Sequence, residues 1–200
     1  MPEDSRKKAL RSLLMAGLLP VLAYTFVEEY FGTIWGLVAG MALGVGEILN
    51  EWRTQRRVET MTWIGNGMIL SMGLISLVTG DGLWFKLQPA IIEAVTAIFL
   101  MGSVIIKKPF MVLMGEKQGI FDKIHPEIRP LMISLFSGLT FRIGLFFLGH
   151  SLLATHAALY WSTSAWAILK GVGLTVSMIA YMAVEVLLLR SRIKKAAAKI

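Results

Sequence analysis

The sequence predicts an all-α, polytopic integral membrane protein, a bundle of six transmembrane helices. Three observations predict it. Of 200 residues, 56% are hydrophobic and only 16% charged, an apolar excess that a soluble domain of this length has nowhere to bury. Six apolar runs of spanning length follow one another, at residues 12–28, 32–50, 60–79, 88–106, 131–156 and 165–189. The basic residues fall in alternate loops, which is the positive-inside pattern.

The first run follows Arg6, Lys7, Lys8 and Arg11 and is interrupted by Pro20, so five spans plus a re-entrant or interfacial segment is the alternative architecture. No small-residue cleavage site precedes Glu28 and Glu29, and the run reads as a retained helix and not as a removed signal. The second run carries Gly36, Gly40 and Gly44 at four-residue spacing, with Gly32 just ahead. Such a stripe lets another backbone approach closely. Packing within the chain is the expected use, and homodimerisation the alternative.

Lys86 and Pro89 open the fourth run, where proline suits a first helical turn, and Lys107-Lys108-Pro109 closes it. From Pro89 to Ile106 the helix would be about 27 Å long, close to the hydrocarbon thickness. The loop 107–130 is expected to be cytoplasmic. Within it Phe110 to Met114 is apolar, and predicts either a short helix lying in the interface or a partly buried loop. Gly115 to Gly119 is a turn signal. The chain thus reads as one membrane domain, residues 1–200, with both termini cytoplasmic.

The net charge of +7 is explained by basic residues flanking spans, among them Arg53, Arg56, Arg57, Arg129, Arg190, Arg192, Lys194, Lys195 and Lys199. They form no continuous stripe, so a nucleic-acid partner is not expected. With no cysteine, disulfides, thiolate metal sites and cysteine nucleophiles are excluded. His125, His150 and His156 have no metal-site spacing, and each reads as a polar bundle or interfacial position. No phosphate loop, dinucleotide fingerprint or serine–histidine–acid arrangement is present, and neither cofactor, metal nor catalysis is expected.

Five charges fall inside the spans. Glu47 and Glu185 lie near cytoplasmic ends, where interfacial water, Arg53, Arg57 or Arg190 could meet them. Glu93 and Arg142 lie deeper, roughly 20 Å and 18 Å from the cytoplasmic ends of their spans, and Lys170 roughly 8 Å into the last. An unpaired charge at such depth costs at least about 2.5–3.5 kcal/mol. Glu93, Arg142 and Lys170 are therefore the candidate intramembrane polar site, read either as an ion-paired cluster fixing helix register or as a headgroup-binding site.

Three stretches resemble the intracellular septation protein A family of bacterial inner-membrane proteins. Trp84-Phe85-Lys86 with Pro89, closed by Lys107-Lys108-Pro109 and Met114-Gly115-Glu116-Lys117, is the first. Leu139-Thr140-Phe141-Arg142 with Phe146-Phe147 is the second. Ser162-Thr163, then Trp166 to Lys170 and Gly173, is the third, and Leu19-Pro20-Val21 also fits. Gln88 departs from a family lysine, Ala154-Thr155 from an Asn-Glu pair, and Glu93 from a usual Tyr or Asn, so the resemblance is to a divergent member. It implies a multi-pass inner-membrane protein serving cell division and envelope integrity. The implied partners are the lipid bilayer and other division or envelope proteins, with homo-oligomerisation a further expectation. It implies no catalytic chemistry.

Overall fold

A computed structural model describes residues 19–197 and is helical almost throughout. Its elements are α1 (Leu19–Phe31), α2 (Thr33–Gln55), α3 (Thr60–Thr79), α4 (Leu83–Ile105), α5 (Phe110–Lys117), a 3-10 turn (Phe121–Lys123), α6 (Arg129–Tyr160), α7 (Thr163–Ile168), a π-helical turn (Leu169–Gly173) and α8 (Leu174–Ala197). Among the described residues five stretches are long and apolar enough to cross a membrane: Thr33–Gln55, Thr62–Thr79, Leu83–Ile105, Arg129–Tyr160 and Thr163–Ile193. Large apolar side chains stay exposed along them, such as Val78 at 83% and Ile98 at 69%, as a lipid-facing surface requires. The beginning of the first expected span, the basic residues Arg6, Lys7, Lys8 and Arg11, and Lys199 lie outside the described residues.

The chain forms two compact units. The first comprises the described residues up to Pro89 together with Ala154–Gly171. Its core is aromatic: Tyr24, Phe85 and Trp166 are almost wholly buried, with ring centroids 4.5 Å apart for Tyr24–Phe85 and 6.1 Å for Tyr24–Trp166. The glycine stripe of α2 makes this core possible. A Cβ on Gly36 would lie 2.9 Å from both the Glu28 Cβ and the Tyr24 carbonyl oxygen, and one on Gly40 would lie 3.0 Å from the Phe85 ring. Gly44 is buried against Asn66 and Ile69 of α3. The stripe is thus occupied by the chain's own α1, α3 and Phe85.

The second unit comprises Ala90–Leu153 and the residues from Val172 onward. The Lys-Lys-Pro turn is built here from backbone chemistry. Lys107 adopts the left-handed conformation at φ 60°, its N–H donates to the Val104 carbonyl and that of Lys108 to the Ser103 carbonyl. This is a Schellman ending, made by a lysine where glycine is usual. Pro109 then starts α5 at no cost in hydrogen bonds, since it has no N–H to satisfy. The next two N–H groups are taken by side chains from neighbouring helices: Phe110 donates to Ser103 Oγ at 3.1 Å and Met111 to Thr140 Oγ1 at 3.3 Å.

The apolar stretch after Pro109 is accordingly a helix, with Val112 and Gly115 buried and Leu113 and Met114 exposed. It runs to Lys117, past the start of the predicted turn. A second Schellman ending follows at Gly119, φ 65°, where Ile120 N–H reaches the Gly115 carbonyl. Gly115 itself leaves room for the Phe121 ring, whose edge would collide with any Cβ there.

Pro89 corrects the expectation that it opens a helix. α4 begins six residues earlier, at Leu83, because Asp81 Oδ1 accepts the Leu83 N–H at 3.1 Å after the left-handed Gly80 has ended α3. Proline inside the helix leaves the Phe85 carbonyl without its usual i+4 donor.

Candidate functional site

In the first unit, two of the motif stretches meet around Lys86. Its ammonium lies 3.5 Å from Glu28 Oε1 and donates to Thr163 Oγ1, while its carbonyl accepts the Trp166 indole N–H at 3.1 Å. That carbonyl adjoins the Phe85 carbonyl, which Pro89 leaves without its helical donor. Ser162 caps α7 by accepting the Ala165 N–H, which sets Thr163 and Trp166 facing the lysine. Lys170 sits in the π-helical turn with its Nζ 5.7 Å from the Trp166 ring centroid, a cation–π distance, and Gly173 ends that turn. Ser164 donates to Glu29 at 2.9 Å, so α1 is tied to α7 by Glu29 and to Lys86 of α4 by Glu28.

In the second unit the charges inside the spans are paired. Arg142 of α6 grips Glu185 of α8 with two hydrogen bonds, Nε to Oε1 at 2.6 Å and Nη2 to Oε2 at 2.8 Å. The planar guanidinium matches a carboxylate in this way, and the bonds are charge-assisted and strong. Tyr181, one helical turn earlier than Glu185, donates a third bond to it at 2.9 Å. The Phe146 ring lies roughly parallel to that of Tyr181, with centroids 4.9 Å apart, and to that of His150, 6.1 Å away. His150 Nδ1 lies 2.7 Å from Glu93 Oε2 of α4, both residues being buried. Arg142, Phe146 and His150 follow one another at four-residue spacing, and so share one stripe of α6.

The structure therefore gives Glu93 and Arg142 different partners, His150 and Glu185. Glu185 is corrected from a rim residue meeting Arg53, Arg57 or Arg190 to the buried partner of Arg142, because α8 places it opposite α6. Glu47 accepts a hydrogen bond from Asn66 at 2.9 Å. His150, Asn66, Ser103 and Thr140 were not singled out as functional from sequence. An Asn and a His inside apolar runs are visible signals, whereas serine and threonine in such runs are too common to mark anything. Among the described residues no three His, Cys, Asp or Glu side chains come together to hold a metal.

Five apolar helices with ion-paired polar residues between them define the class: a multi-pass helical membrane protein. Within that class, the chain belongs to the intracellular septation protein A family, whose model matches residues 13–196. It is 31% identical over 140 residues to the inner membrane-spanning protein YciB of Edwardsiella ictaluri, covering 70% of this chain and 71% of that one. The protein of the same name from Pectobacterium carotovorum is 28% identical over 153 residues, 76% of this chain and 74% of its own. That of Nitrosospira multiformis is 23% identical over 178 residues, 86% and 90% of the two chains. No solved structure matches.

Proposed function

We propose that the protein works in the bacterial inner membrane, with both termini and the 107–130 loop cytoplasmic, and supports septation and envelope integrity. It does so without catalysis, by contacts with other membrane proteins. The family name is the source of the septation role. The observation supporting contact over transport is the pairing of Arg142 with Glu185 inside the second unit, which makes these charges internal fasteners of a scaffold. Two surface cavities lie away from this pair, one lined by Phe121, Ile124, Arg129 and Ile133, the other by Glu28, Glu29, Thr33 and Ser162–Ser164. The exposed partner surface is then the short helix α5 and the basic residues beside it.

A second reading, a small transporter or lipid-handling protein, draws on Lys170 in the π-helical turn, since such distortions often accompany function. Complementation of a deletion separates the two. Glu93→Gln, Arg142→Gln and Lys170→Met are compared with wild type at matched membrane abundance and neutral pH, scoring division and envelope leakage. The scaffold reading expects rescue by all three. Variants that accumulate normally yet fail to rescue would overturn it in favour of the second reading.

A further inference from the structure

His150 stands near the middle of the membrane-spanning part of the second unit. Glu93 is roughly 15 Å from the Leu83 end of α4 and roughly 18 Å from its Ile105 end, and His150 roughly 15 Å from the Tyr160 end of α6. The imidazole Nδ1 is engaged by Glu93 at 2.7 Å and its face by Phe146. Nε2, in contrast, is buried with no hydrogen-bond partner among the described residues. Glu93 from α4 meets the ring directly, and the other ionisable groups of this unit's polar cluster are Arg142 on the same helix as His150, and Tyr181 and Glu185 from α8. The last three are bonded to one another.

Counting protons shows what such a pair can do. With Glu93 ionised, its carboxylate only accepts, so Nδ1 must carry the hydrogen and Nε2 is left with a bare lone pair. A proton added to the ring, or to the Glu93 oxygen that faces it, gives either an imidazolium beside a carboxylate or a neutral imidazole accepting from a protonated Glu93, whereas one added to the far Glu93 oxygen would leave Nε2 bare. In the first two forms the hydrogen gained by the pair ends on Nε2. We propose that Glu93 and His150 form an intramembrane proton-binding site whose exchangeable proton is carried at His150 Nε2, converting that buried atom from acceptor to donor. Glu93 acts as the positioning residue that locks the tautomer, and Phe146 fixes the ring plane.

The test is nitrogen NMR of the full chain in lipid nanodiscs with labelled histidine, the His150 signals being assigned by their loss in His150→Gln. At alkaline pH a single neutral tautomer with the hydrogen on Nδ1 is expected, and acidification should reversibly add a hydrogen at Nε2. In Glu93→Gln, whose amide can donate or accept, the single-tautomer signal should be lost, while Glu93→Asp, checked for unchanged helicity, should restore it. A His150 that holds one form throughout overturns the proposal, as does a Glu93→Gln protein with the wild-type tautomer.

Discussion

Removing the Arg142 guanidinium should cost more than removing the carboxylate it holds. The Glu185 side chain is 6% exposed, whereas that of Arg142 is 30% exposed. Arg142→Gln strands a buried carboxylate, for which breaking a buried pair costs about 3–5 kcal/mol. The Tyr181 hydroxyl, 2.9 Å away, remains and offsets about 1 kcal/mol. The expected net loss is about 2–4 kcal/mol. Glu185→Gln leaves Arg142 without its counter-ion inside the span, a cost of about 2.5–3.5 kcal/mol of which the hydrogen bond that the glutamine oxygen can still accept recovers about 1 kcal/mol. In the double variant two amides can bond each other, so the coupling energy should reach about 2 kcal/mol. Equilibrium unfolding in mixed micelles with increasing denaturing detergent, followed by tryptophan fluorescence, measures all three. The reasoning fails if Glu185→Gln is the costlier single change, or if the two losses add to within about 0.5 kcal/mol.

The same assay checks three further expectations. Gly36→Ala should destabilise by about 1–3 kcal/mol, since its Cβ meets the α1 backbone, whereas Gly46→Ala, with open space around it, should be neutral or stabilising by up to about 1 kcal/mol. Ser103→Ala should lose about 1–2 kcal/mol with the acceptor for Phe110, while Lys107→Gly should gain about 0.5–1 kcal/mol by relieving the left-handed lysine. Trp166→Phe removes the indole donor to the Lys86 carbonyl and should cost about 1–2 kcal/mol, with Trp166→Ala costing about 3–5 kcal/mol through the cavity it leaves.

Much of the site was half legible. Glu93 and Arg142 announced themselves because a charge in an apolar run has no cheap explanation. The four-residue spacing of Arg142, Phe146 and His150, and of Tyr181 and Glu185, is carried by the chain itself, since neighbours on one helix face follow from the 3.6-residue turn. What spacing on one helix does not carry is the identity of the facing helix. Depth arithmetic left Glu185 among the rim arginines, yet α8 brings it to Arg142, 43 residues away in the chain. Pro89 misled for a related reason. Its preference for a first turn is local, and the cap at Asp81 outweighed it by starting the helix earlier.

By itself the sequence determined that this chain is a multi-pass helical membrane protein, which of its helices carries a glycine face, and which family it resembles. Those properties are set by composition and by periods of a few residues, which the chain carries whether folded or not. Only the tertiary structure decided that Tyr24, Phe85 and Trp166 share a core, that Lys86 answers to Glu28 and Thr163, and that the buried charges divide into an Arg142–Glu185 clasp and a Glu93–His150 pair. Pairing inside a membrane is chosen by which helix faces pack, and a buried charge then takes the nearest complementary group, because leaving it without one in hydrocarbon costs kilocalories.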